Sequence, residues 1–151
     1  MSKVEERLAE LGFTVPDVAA PVASYVPAVI SGSHVFTSGQ LPMVAGTLAA
    51  TGRLGAEIDQ EQGVKLAEIC ALNAIAAVKS LVGDLDRVIQ VVRVTGFVSC
   101  VPEFHAQPAV INGASNLLGV AFSGAHSRSA VGVAALPLNA PVEVDMIVEF
   151  K

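Results

Sequence analysis

A chain of 151 residues and 15.5 kDa has room for one domain. It is 52% hydrophobic and 15% charged, with a mean hydropathy of +0.60, which is too apolar for a disordered tail. The net charge of −5, with 5% aromatic residues and no Trp, argues against a binder of nucleic-acid backbone or bases.

The uncharged stretch Val18 to Arg53 is long enough to suggest a membrane span, but Pro21, Pro27, Gly32, Gly39 and Pro42 interrupt it. Acidic residues in the opening Met-Ser-Lys-Val-Glu-Glu-Arg argue against a signal peptide. The expectation is a soluble, cytoplasmic protein. Cys70 and Cys100 form no CxxC, sit in apolar runs and read as buried free thiols. So apolar a composition in so short a chain points to burial against further copies.

Val4, Leu8 and Leu11 have helical spacing and predict a helix over Lys3 to Leu11, stopped by Gly12. Three prolines make Val15 to Pro27 an extended loop. Val29-Ile30 and Val35-Phe36-Thr37 read as strands around the turn Gly32-Ser33, with His34 solvated beside it. A loop or hairpin follows between Gly46 and Gly55. Asp59 and Gln62 form a capping-box variant before a helix with apolar positions from Val64 to Val82. Val88 to Cys100 is a long Val/Ile-rich strand, expected to be buried on much of both faces. Pro108 suits the first turn of a second helix, with Val110, Ala114, Leu117 and Ala121 as its stripe. Ser129 to Ala135 and the alternating Val142 to Phe150 supply the last strands, with Val142, Val144, Met146, Val148 and Phe150 on one face and Glu143, Asp145, Ile147 and Glu149 on the other. The compact arrangement is α+β: a mixed sheet of four to six strands with two helices on one face.

The sequence has no P-loop and no GxSxG elbow. His34, His105 and His126 are far apart in sequence, and no ligand spacing argues for a metal. Arg128, ahead of the apolar run Ala130 to Ala135, fits an anion clamp and an ordinary strand-end arginine equally well. The acidic positions of the last strand fit a solvated sheet face better than a catalytic pair.

Several motifs together carry a resemblance. Arg128-Ser129-Ala130-Val131-Gly132-Val133-Ala134-Ala135-Leu136-Pro137, then Val142-Glu143-Val144-Asp145, resembles the C-terminal signature of the YjgF/Rid family. Thr37-Ser38-Gly39-Gln40-Leu41-Pro42 resembles that family's Ser-Gly-Gln-hydrophobic-Pro turn, and Tyr25 stands where the family places a tyrosine before its first strand. The resemblance covers about Pro21 to Phe150, and the N-terminal helix with the stretch Pro102 to Gly119 looks like a longer subgroup.

The resemblance implies a chorismate-mutase-like fold, here one domain over 1–151 with a helical extension over 1–14. It implies a homotrimer whose sheets enclose a central β-barrel, with ligand clefts between subunits. The family's deaminase branch hydrolyses enamine and imine carboxylates such as 2-aminoacrylate to a 2-keto acid and ammonia, without a cofactor. By position, Arg128 would bind the carboxylate and Glu143 would handle water as the second catalytic residue. Tyr25, Ser38, Gly39 and Ala130 would line the cleft. The chain departs from that branch in three places. Ala130 stands for a cysteine, Gly132 for a frequent glutamate, and Pro108 falls near the expected asparagine, a role Asn112 could take. A deaminase and a non-catalytic trimer that binds a small metabolite or a partner protein are the two expectations. RNA cleavage, after which some relatives are named, fits the charge poorly.

Overall fold

The computed structural model describes residues 1–20 and 23–151. Pro21 and Val22, within the expected extended loop and at the start of the resembling region, lie outside the described residues.

Helix α1, Lys3–Glu10, opens with a complete capping box, in which Ser2 and Glu5 satisfy each other's backbone N–H groups. Strands β1, Ala28–Ser31, and β2, His34–Thr37, form the first hairpin. Strands β3, Met43–Val44, and β4, Thr47–Leu48, make a second hairpin with Ala45 and Gly46 at its turn, upstream of most of the expected region. Both turn residues have positive φ, 50° and 82°, as a tight two-residue hairpin demands. Helix α2, Gln60–Val82, starts at the predicted Asp59–Gln62 capping box. It leads through the one-turn segment Leu85–Arg87 into β5, Val88–Ser99. Helix α3, Gln107–Ala121, has Pro108 in its first turn as expected. Strand β6, Ser127–Val133, and β7, Val142–Phe150, complete the chain.

The main sheet has five strands in the order β1-β2-β7-β5-β6. Among its five strands β5 and β6 pair in parallel and the other neighbours antiparallel, because α3 carries the chain back across the sheet between β5 and β6. The alternation in β7 is realised: Val142, Val144, Met146 and Val148 are buried, Phe150 at the strand end is partly buried against the core, and the intervening residues are not buried.

Helices α2 and α3 cover one face of the sheet, and the core lies beneath them. The helices approach closely at Gly113, where an added Cβ would collide with the Val64 carbonyl. Among the described residues no helix covers the other sheet face, which corrects the expectation for β5. Its buried positions alternate through Val91, Val94, Gly96 and Val98, while Arg93, Thr95 and Phe97 are only partly covered.

The remaining differences are local. Strand β6 begins two residues earlier than expected, so Arg128 lies inside it, paired with Val94. The long parallel register with β5 extends the strand upstream of its apolar run. Cys70 is buried as predicted, but Cys100 is only half-buried, just past the end of β5. His34 belongs to β2 and pairs with Glu149, so it is not a turn residue. Helix α1 packs Val4 and Leu8 into the core beside α3. Arg7 donates to the Ala121 carbonyl, and Glu5 pairs with Lys79 of α2.

Candidate functional site

The nominated residues fall into two groups. The first is at the β6 edge. Arg128 shares a row with Val94 and Met146, whose side chains are buried under the helices, so its side chain lies on the helix side of the sheet. There Nη1 donates to Asn112 Oδ1 at 2.7 Å and Ser115 Oγ at 3.1 Å, and Nη2 donates to the Pro108 carbonyl at 3.3 Å. Asn112 and Ser115 are three residues apart on α3 and therefore share a helix face. A guanidinium has five donors in a fixed plane, so these contacts orient it and leave donors for an incoming carboxylate. Ala130 follows on the same side of β6, partly buried beside Gly96.

His126 joins this group, which spacing along the sequence had not suggested. Its Nε2 lies 2.9 Å from Ser115 Oγ. Burial, and then the Arg128 charge, hold its pKa below the ordinary histidine value, so the ring is neutral near pH 7. Its Nδ1 is buried without a partner among the described residues. Ser115 and His126 were missed because each looks ordinary alone. The three-residue step from Asn112 was the one local signal pointing to Ser115.

The second group is at the end of β2. Ser38 Oγ donates to the Val26 carbonyl at 2.6 Å, and Ser38 N–H donates to the Pro27 carbonyl at 2.8 Å. The hydroxyl thereby ties down the segment that carries Tyr25, which is 44% exposed. Gln40 exchanges backbone hydrogen bonds with Val144, at 2.8 and 3.0 Å, which places Gly39 next to Glu143. A Cβ on Gly39 would lie 2.7 Å from Glu143 Cδ and 3.1 Å from its Cγ, so a side chain there would push the carboxylate from its place. Tyr25, Gly39 and Gln40 line one small recess.

Glu143 is half-buried. Burial, and then the charge of Asp145, raise its pKa above the usual carboxylate value. Burial also raises Asp145, against which the Thr95 hydroxyl and the Arg93 charge act. A half-buried carboxylate with a raised pKa is a better proton acceptor than a solvated one.

The two groups do not meet within one chain. Glu143 pairs with Phe97 on the bare face, whereas Arg128 lies on the helix side, two strands away across β5. The space beyond Ala130 is filled from another direction. An added Cβ on Gly132 would meet Gln107 Nε2 at 2.8 Å and Cys100 Sγ at 2.9 Å.

Known proteins resemble this chain over nearly its whole length. Residues 5–150 match the family model described as "YjgF/chorismate_mutase-like, putative endoribonuclease". The chain is 44% identical over 154 residues to Protein TCP17 of Trypanosoma cruzi, covering 99% of this chain and 95% of that protein. The solved structure of Atu1372 from Agrobacterium tumefaciens, described as a protein of unknown function, is 49% identical and superposes with a TM-score of 0.92 over 99% of this chain and 93% of that one. TdcF of E. coli, solved with bound serine, shares the fold at 24% identity, with a TM-score of 0.67 over 89% of this chain and 94% of that one. With a family match across nearly its whole length and a relative 44% identical, the chain belongs to the YjgF/chorismate-mutase-like family.

Proposed function

We propose that this protein hydrolyses small enamine or imine carboxylates to a 2-keto acid and ammonia, without a cofactor, in a cleft completed between copies of the chain. The observation that carries this reading is Arg128, held in one orientation by Asn112, Ser115 and the Pro108 carbonyl at an open sheet edge. A fixed fork of N–H donors suits a carboxylate. The Glu143 carboxylate against Gly39 supplies the second function, acceptance of a proton from water.

An imine carbon is already electrophilic, so catalysis needs positioning and one proton transfer. Water oxygen bonds to the imine carbon as Glu143 takes its proton, and the C=N π pair moves to nitrogen. Nitrogen takes up protons and leaves as ammonia when the carbonyl forms. The net reaction consumes one water and needs no oxidant or reductant.

Arg128 and Glu143 lie on opposite faces of one sheet, so this chemistry needs a second copy to bring the two groups together. The bare face carries exposed Val29, Phe36 and Val131, apolar surface that burial in an oligomer would stabilise. A homotrimer with a central barrel, as in the resembling family, is the assembly we propose.

A second reading retains binding and loses turnover. It is favoured by Gly132, where the deaminase branch often has a glutamate and where Gln107 and Cys100 take up the space.

The test generates imino acids with an amino-acid oxidase in the presence of semicarbazide, and compares wild type with Arg128→Ala. The reading expects faster keto-acid release that the variant loses. No acceleration on any imine, from protein shown to be trimeric, favours the binding reading. A monomer in solution refutes the shared cleft.

A further inference from the structure

A cavity of about 860 Å3 lies between segment 14–20, the β3–β4 hairpin and helix α2. Ligand pockets occupy roughly 300–1,000 Å3, so it is large enough for more than a three-carbon acid. Val18, Met43, Val44, Ile69 and Leu72 supply most of its apolar wall, and Leu138 closes the rim. None of the residues nominated from the sequence lines it.

Its position gives it meaning. Ala19, Ala20 and Met43 line this cavity and also line the small recess at Tyr25, Gly39 and Gln40. The two spaces thus share small and flexible side chains, and the recess reaches Gly39, against which the Glu143 carboxylate lies. Asn73 fixes part of that wall. It is 2% exposed, and both its amide hydrogens are donated, to the Leu41 and Met43 carbonyls at 3.0 Å each. The shape is therefore built by buried hydrogen bonds.

At the rim, Val44 and Leu138 are left 54% and 59% exposed, apolar surface that an apolar occupant would cover. Among the described residues of the lining Asp17 alone is charged, so a second acidic group would be repelled.

We infer that this cavity receives a long, neutral, apolar side chain of the substrate whose carboxylate and imine carbon occupy the adjoining site. The substrate class is then 2-imino acids with extended aliphatic or aromatic side chains, rather than the three-carbon 2-aminoacrylate. The inference rests on the reading given under Proposed function.

The test has two arms on the full-length protein. The first measures calorimetric binding of straight-chain 2-oxo acids from pyruvate to 2-oxooctanoate, the stable products of such imines. Each buried methylene tightens binding about fourfold, and the series should follow that slope to at least six carbons. Val44→Trp, at an exposed rim position that leaves the core intact, and Ile69→Phe should flatten the slope while leaving pyruvate binding unchanged. A flat series in the wild type overturns the inference. So does a steep series that neither variant changes.

The second arm measures imine hydrolysis across the same chain lengths. Hydrolysis without chain-length preference overturns the cavity inference and leaves the catalytic reading standing. Absence of hydrolysis, with the binding slope and its loss in Val44→Trp intact, refutes the catalytic reading and supports the apolar ligand class.

Discussion

Gly39→Ala is a one-methyl perturbation aimed at the link between the β2 end and Glu143. The new Cβ would stand 2.7 Å from Glu143 Cδ, whereas ordinary carbon contacts are about 3.5–4.0 Å. The carboxyl group must therefore retreat by about 1 Å. The obstacle is the end of a side chain rather than backbone, so the stability cost sits at the low end of overpacking, about 1 kcal/mol. For a chain of this size that lowers Tm by roughly 2–4 °C. Catalysis is more sensitive, because a misplacement of about 1 Å costs on the order of 100-fold. The expected result is a fall of about 100-fold in kcat/KM for imine hydrolysis with a nearly native melting curve. Shortening the carboxylate in Gly39→Ala/Glu143→Asp should recover part of that loss, since it vacates the space the methyl needs. Activity within threefold of wild type in Gly39→Ala would refute the role given to Glu143. An equal loss of activity and of folded protein would refute the mechanism of the effect.

Other predictions concern charge and packing. Glu143 has a folded pKa above its unfolded value, so the native state binds more protons and stability falls as pH rises through that window. Glu143→Gln should therefore raise Tm at pH 7, lose this advantage below pH 4 and abolish hydrolysis, as read by calorimetric scans and the coupled assay. Glu5 is displaced in the other direction, to about 2, by its bond to Lys79 and by Ser2. Its contribution is present above the unfolded pKa and disappears as pH falls toward 2, so Lys79→Met should lower Tm at pH 7 and change little at pH 2. Asn112→Ala removes the 2.7 Å anchor of Arg128 and should raise KM for the carboxylate substrate about tenfold, with a smaller effect on kcat. Gly113→Ala drives a methyl into the Val64 backbone, which cannot rotate away, and should cost about 3 kcal/mol and roughly 6–12 °C in Tm.

Much of this protein is written in local signals. The alternation from Val142 to Phe150 determined which side of β7 is buried, because successive strand residues must point to opposite faces. Asp59–Gln62 and Pro108 marked two helix starts, because capping and proline geometry act within a few residues. The motifs around Arg128 and Ser38 identified the family before any contact was known. Tertiary structure decided what distant segments do to one another. The helices cover only one sheet face, and this left β5 half-bare despite a Val/Ile-rich sequence that reads as buried on much of both faces. Register with β5 put Arg128 inside a strand and under Asn112 and Ser115, and the Gln40–Val144 bridge set Gly39 against Glu143. The separation of Arg128 from Glu143 onto opposite faces, and the cavity walled by a loop, a hairpin and a helix, have the same origin. Each depends on pairing and packing between residues far apart in the chain, which local propensity does not encode.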